Sequence, residues 1–301
     1  MHTVMELVEF ERLRRLDERA IRSTVILARG VTREDLSRPT PCAGWTLADL
    51  LAHMAAQHRG FAAAARGFGA DPAQWVVRPR AAEAVGDTEA VGEAGAVGRD
   101  EAVEEVEAMG EVRADGEVGA DGAVRVDETV RAAGRDKAVG QVGAVGRDEA
   151  VRVAETAGIL GEYAAAAERV ITAFAALADP DRPFALPEIT TARTFPALRA
   201  VAFHLTDCVA HSWDIARALD LPHDPDPDLV RAAMPTARAI PDGDSRLAPG
   251  SPFGPRLLPG HRASRLEHLL TALGRSPEWR SPAPAAAGGP IRPGAERGTA
   301  C

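Results

Sequence analysis

Between Arg78 and Gly158 the chain contains no Leu, Ile, Phe, Tyr or Trp. A stretch of Val, Ala, Gly and charged residues cannot build a packed core. Ordering its backbone costs about 1–2 kcal/mol per residue, and too little apolar surface is available to offset that. Whatever folds must therefore assemble from the two flanks. The texture is also repetitive: "GAVGRDEAV" at 95–103 returns letter for letter at 143–151, and "AAGRDKAV" varies the theme at 132–139. Repeats can stack into a solenoid, but these are irregularly spaced and offer no apolar side chain larger than Val except one Met. Residues 80–152 read as a disordered, low-complexity insertion in a loop.

The flanks read as helices. Residues 5–29 set Leu7, Phe10, Leu13, Leu16, Ala20 and Val25 on a helical period. "SRPTPCAGW" at 37–45 is a Pro- and Gly-rich turn leading to Thr46, a natural N-cap with Asp49 at the third helical position. The helix it opens, about 46–66, carries Leu47, Leu50, Leu51, Met54 and Phe61. A third, about 155–178, carries Ile159, Leu160, Tyr163, Ala167, Val170, Ile171 and Phe174 and stops at "DPDRP"; a fourth runs from about 195 to 219. With no alternating strand pattern between them, four helices of about twenty residues predict an all-α fold, an antiparallel four-helix bundle. Residues 1–79 would supply its first half and 153–221 its second. Residues 222–282 read as a short Pro-rich extension with helices near 226–239 and 261–273, and 283–301 as a disordered tail.

Charge and composition exclude several classes. A net charge of −9 leaves no basic stripe for nucleic acid. No run reaches the roughly 18 apolar residues of a membrane span. The N-terminal "MHTVMELVEFERLRRLDERA" lacks the apolar centre of a signal peptide. Cys42, Cys208 and Cys301 are too few and scattered for a disulfide framework. A cytoplasmic protein is expected.

The chemistry concentrates in "HLTDCVAHSWDIARAL" at 204–219, where His204, Asp207, Cys208 and His211 share one stripe that continues into Ile215 and Ala218. A carboxylate buried there unpaired would be very costly. A divalent cation between Asp207 and His211, one turn apart, would resolve the conflict. The same spacing also makes an Asp–His salt bridge within one helix, and this helix alone does not choose. A further ligand would come from the second helix, where His58 lies nearer the apolar centre and His53 at its margin; the wheel does not choose between them either. Three protein ligands would leave a coordination position open, the mark of a catalytic metal.

"TPCAGWTLADLLAHM" (40–54), "HLTDCVAHSWDIARAL" (204–219) and "LLTALGRSPEW" (269–279) together resemble the actinobacterial metal-binding proteins grouped with mycothiol-dependent maleylpyruvate isomerase, within the DinB/YfiT-like four-helix bundles. The resemblance covers about 5–78 and 155–280 and leaves out the insertion. It implies a His on the second helix and an acid-x-x-x-His pair on the fourth as metal ligands: His53, Asp207 and His211. The isomerase has Glu where this chain has Asp207. Asp214 would orient the other ring nitrogen of His211, with His204 and His58 nearby and Cys208 a small buried hydrophobe.

The implied chemistry is a divalent metal, zinc first, holding the thiol of mycothiol as thiolate for attack on a small electrophilic substrate. That describes a mycothiol-dependent transferase or isomerase. A non-catalytic metal-binding bundle and a metal-dependent hydrolase are the alternatives, and a homodimer suits any of them. The region after 222 is too short to carry over the isomerase's own substrate. Arg217, Arg231 and Arg238 are candidate anion contacts, or plain surface arginines.

Overall fold

The computed structural model describes residues 3–77, 138–247 and 251–282, with side chains at all of these except 138–154 and 245. The described residues are mostly helical.

Helix α1 (Val4–Arg29) opens on a capping box, Thr3 accepting from the Glu6 N–H while the Glu6 side chain accepts from the Thr3 N–H. Its buried stripe holds Phe10, Leu13, Leu16, Ala20, Ile21 and Ala28, with Asp17 and Thr24 set among them. Helix α2 (Leu47–Ala65) starts at the predicted Thr46–Asp49 capping box and is buried on nearly every side. Its run of small residues, Ala62 to Ala65, lets neighbours approach closely.

Helix α3 (Ala138–Ala175) starts inside the segment assigned to the insertion. Once a helix is nucleated, each added residue gains a hydrogen bond without a fresh nucleation cost. The Ala, Val, Glu and Arg of 138–154 can therefore prolong a helix that the packed residues from Ile159 onward anchor. Lack of large apolar residues rules out a core but does not rule out such an extension. The rest of the expected insertion, 80–137, and the expected tail lie outside the described residues.

A hairpin departs from the all-helical expectation. Strands β1 (Pro183–Leu186) and β2 (Thr190–Pro196) pair antiparallel, with Phe184 opposite Phe195 and Pro183 opposite Pro196. Only Phe184, Leu186 and Phe195 are buried, so the period-two signal spans too few residues to stand out. β2 runs straight into α4 (Ala197–Ala218). Helix α5 (Pro227–Ala239) is capped by Asp226, and α6 (Arg265–Ala272) by a Ser264–Glu267 capping box.

Helix α2 packs on α3, α1 on α4, α4 on α5, and α5 on α6. One apolar cluster joins Phe10, Leu16, Phe61, Phe174, Phe184, Leu205, Leu229 and Leu269; a second gathers Leu47, Leu51, Met54, Tyr163 and Ile215 around the start of α2. The extension after 222 thus shares the core of α1 and α4. No helix among the described residues is long and apolar enough to cross a membrane.

Gly274, just after α6, holds φ +78°, and a Cβ there would stand 2.4 Å from the Gly254 carbonyl oxygen. The left-handed conformation alone costs a residue with a Cβ about 1–2 kcal/mol. The clash is with backbone, which cannot swing aside. Gly274→Ala is therefore expected to lower stability in urea unfolding by about 2–4 kcal/mol.

Candidate metal centre

Helices α2 and α4 bring His53, Asp207 and His211 together, with one ligand atom from each lying within 4.8 Å of the other two. Within α4, His211 Nε2 stands 3.2 Å from Asp207 Oδ1. Two ligand atoms on a tetrahedral zinc with bonds of 2.0–2.1 Å are about 3.3 Å apart, so this pair already has the separation a shared cation requires. His53 reaches the site from α2 with its ring edge-on to His211 (5.5 Å, 79°) and Trp45 against its other side at 4.9 Å. Of the two α2 histidines that the sequence left open, His53 is the one that joins Asp207 and His211.

The opposite nitrogen of His211 is fixed from behind. Asp214 Oδ2 accepts from Nδ1 at 2.8 Å, and Arg275 holds Asp214 in turn through Nε at 3.0 and 3.1 Å and Nη2 at 2.9 Å. Asp214 is fully buried and Arg275 nearly so. The expectation that Asp214 orients His211 is met in the geometry. Sequence reasoning missed Arg275, although it lies inside the quoted "LLTALGRSPEW".

Charges alternate along this row: Asp207, His211, Asp214, Arg275. Burial disfavours a charged His211, but the Asp207 carboxylate and hydrogen bonds to both acids outweigh it and raise the ring to about 9. Asp207, also working against burial, is held well below the usual carboxylate range by His211. Burial, then the neighbouring His211 charge, lowers His53 to about 4, so its ring stays neutral with a lone pair to offer. Without a cation, the proton on His211 Nε2 takes the cation's place between the two α4 side chains, His211 and Asp207. The donor set of two imidazoles and a carboxylate suits zinc and similar divalent ions.

His53 and Asp207 open onto a cavity of about 1140 Å³, whose walls include Gln57, Trp75, Leu186, Phe195, Phe203 and Arg275. A fourth ligand would enter from this side.

His204 and His58 do not join the trio. His204 donates or accepts through both nitrogens, Nδ1 to Asp17 at 2.8 Å and Nε2 to His58 Nδ1 at 2.9 Å. Cys208 Sγ stands 3.9 Å from His204 Nδ1. His58, His204 and Cys208 also offer ligand atoms within 4.8 Å of one another, but both ring nitrogens of His204 already have partners, Asp17 on one side and His58 on the other. The group is a polar seam tying α1, α2 and α4. Its anchor, Asp17, went unnoticed in the sequence, although an acid between Leu13 and Ala20 on an apolar stripe is a readable signal. A further trio of Cys42, His211 and Asp214 is already filled by the guanidinium of Arg275, which lies 3.9 Å from the sulfur.

These shifts give the metal-free protein a pH optimum. Burial first, then neighbouring charges, lowers His53, His58 and His223 below 6.5. The unfolded chain then binds protons that the fold refuses, and stability falls as pH drops from about 6.5 toward 4. Asp17 and Glu188, both raised by burial, oppose this. His211, raised, contributes stability that is full below about 6.5 and is lost as pH rises through 9. The melting temperature without metal is expected to peak near pH 6.5 and to fall by several degrees at both pH 5 and pH 9, read by calorimetry.

Residues 18–157 match the family described as the mycothiol maleylpyruvate isomerase N-terminal domain. No curated protein and no solved structure matches the chain. The matched stretch takes in His53 and ends before Asp207 and His211, which the fold brings to it from α4. Over residues 18–157, just under half of its length, the chain is thus similar to the mycothiol maleylpyruvate isomerase N-terminal domains.

Proposed function

We propose that the protein is a divalent-metal-dependent enzyme that uses mycothiol as co-substrate, either transferring the thiol to a small electrophile or isomerising one. The four long helices α1–α4 are read as the antiparallel bundle of this family. His53, Asp207 and His211 are read as the ligands of one ion, zinc first. The observation that carries the reading is the convergence of these three side chains, from two helices, with His53 and Asp207 lining one large cavity.

When bound, the ion supplies the Lewis acidity that keeps a thiol as thiolate near neutral pH. The chain's own residues do the rest. His53 stays neutral and offers its lone pair without first losing a proton. His211 gives up the proton on Nε2, while Asp214, locked by Arg275, keeps Nδ1–H pointing away from the site. The apolar cavity wall excludes water from the thiolate and holds the electrophile against it. Addition forms an S–C bond as the π bond of the substrate opens and its electron pair moves onto the neighbouring activating group. In an isomerase the resulting single bond turns, the pair returns and the thiolate is expelled; in a transferase the adduct takes a proton from solvent and leaves as product. We assign the protein to the cytoplasm, where such thiols are kept reduced.

Adding mycothiol to the cobalt(II)-loaded protein tests this reading. A thiolate-to-cobalt charge-transfer absorption is expected. If the ion binds and mycothiol leaves its spectrum unchanged, the thiol chemistry falls, and a hydrolase using water at the same position replaces it.

A further inference from the structure

Two arginines on the cavity wall have no part in the chemistry so far. Arg193 on β2 stacks over Phe195 at 4.6 Å, and Arg199 on α4 over Phe203 at 5.5 Å. The two rings pack edge to face at 5.2 Å and 80°. All four side chains line the same cavity as His53 and Asp207. Neither guanidinium makes a hydrogen bond or ion pair among the described residues.

The other charges on that wall are taken. Arg275 holds Asp214, and Arg246 donates to the carbonyls of Pro241, Gly254 and Ala272. Glu188 accepts from Gln57, Glu6 from the Thr3 N–H, and Asp181 is engaged as well. Stacking uses only the flat face of a guanidinium. Its N–H donors lie in the plane and stay free to grip an oxyanion in paired fashion.

The row runs toward the metal ligands. Arg199, Phe203, Asp207 and His211 follow one another every four residues along a slanting stripe of α4. From Arg199 to Asp207 the helix rises about 12 Å. The lining of the same cavity includes the apolar Phe61, Trp75, Leu186, Phe195, Phe203 and Leu273. At about 1140 Å³ the cavity is as large as the biggest common ligand sites, which span roughly 300–1,000 Å³.

We propose that Arg193 and Arg199 form an anion subsite selecting substrates with a long apolar body, whose single carboxylate or sulfonate binds there while the reactive end reaches His53 and Asp207. This names the substrate class of the proposed site and rests on that reading for its reactive end only. A compact, multiply charged acid is excluded as the preferred ligand. It would not span the row, and it would leave the aromatic wall wet.

Calorimetric titration of the zinc-loaded full chain with dodecanoate, dodecanol and succinate tests the proposal. Dodecanoate is expected to bind at least tenfold tighter than either of the others. Arg193→Gln combined with Arg199→Gln should remove that advantage over dodecanol without changing the melting temperature. Dodecanoate affinity should stay within a few-fold in His211→Ala, because the anion is held at the far end. No dodecanoate binding, equal binding of dodecanol or succinate, or an unchanged double variant overturns the subsite. Zinc content is read separately: a wild type without zinc that still binds dodecanoate through the two arginines defeats only the metal reading.

Discussion

Replacing Arg275 by methionine is expected to cost about 3–5 kcal/mol of stability. Three of its contacts, at 2.9–3.1 Å, end on Asp214, which has no exposure to solvent. Without the guanidinium, the carboxylate stays in the interior facing His211 and the Cys42 sulfur. A buried charge stripped of its partner loses far more than the intact pair ever gained, because the desolvation cost remains while the attraction goes. For a chain of this size the loss corresponds to a fall of roughly 10–15 °C in melting temperature. The companion change, Asp214→Asn together with Arg275→Met, removes both charges and is expected to cost less than Arg275→Met alone. A loss under about 1 kcal/mol for Arg275→Met would mean that water reaches Asp214 and that the row of charges is not a buried unit.

The second large effect concerns the ion. Purified protein is expected to hold about one divalent ion per chain, the stoichiometry of a single open site. His211→Ala and His53→Ala should each reduce that occupancy to near zero, while His58→Gln, on the same helix and five residues on, should keep it. Asp214→Asn leaves the ligands in place but loosens the ring of His211, and should weaken binding by about 10–100-fold. Equal occupancy in wild type, His53→Ala and His211→Ala, by mass spectrometry of metal content, would dismiss the ligand assignment. Loss in His58→Gln with retention in His53→Ala would move the site to the buried seam with His204.

How far this was legible in the sequence varied with the physical signal. The start of α2 was visible to the residue, because a capping box is local chemistry: Thr46 and Asp49 satisfy orphan N–H groups whatever surrounds them. The acid and imidazole one turn apart in α4 were visible for the same reason. The choice of His53 over His58 came from the family resemblance and not from the helix pattern, because His53 is half-buried at the margin, His58 is buried, and only the placement of α4 decides which one it meets.

Arg275 stayed hidden because its partner is 61 residues away in the chain, and nothing local distinguishes it from a surface arginine. The β1–β2 hairpin was missed because only Phe184, Leu186 and Phe195 are buried in it. The early start of α3 was missed because poor core-forming composition was equated with absence of helix. The stacked Arg193 and Arg199 could not be read at all, since both are ordinary exposed residues until the hairpin folds against α4.

X-ray absorption at the zinc edge of the loaded protein measures the shell of the ion itself. Two imidazole nitrogens at about 2.0–2.1 Å and a carboxylate oxygen are expected, with a sulfur at about 2.3 Å appearing once mycothiol is added. A shell without imidazole, or one already containing a cysteine sulfur before any thiol is added, would contradict the convergence of His53, Asp207 and His211 on one cation.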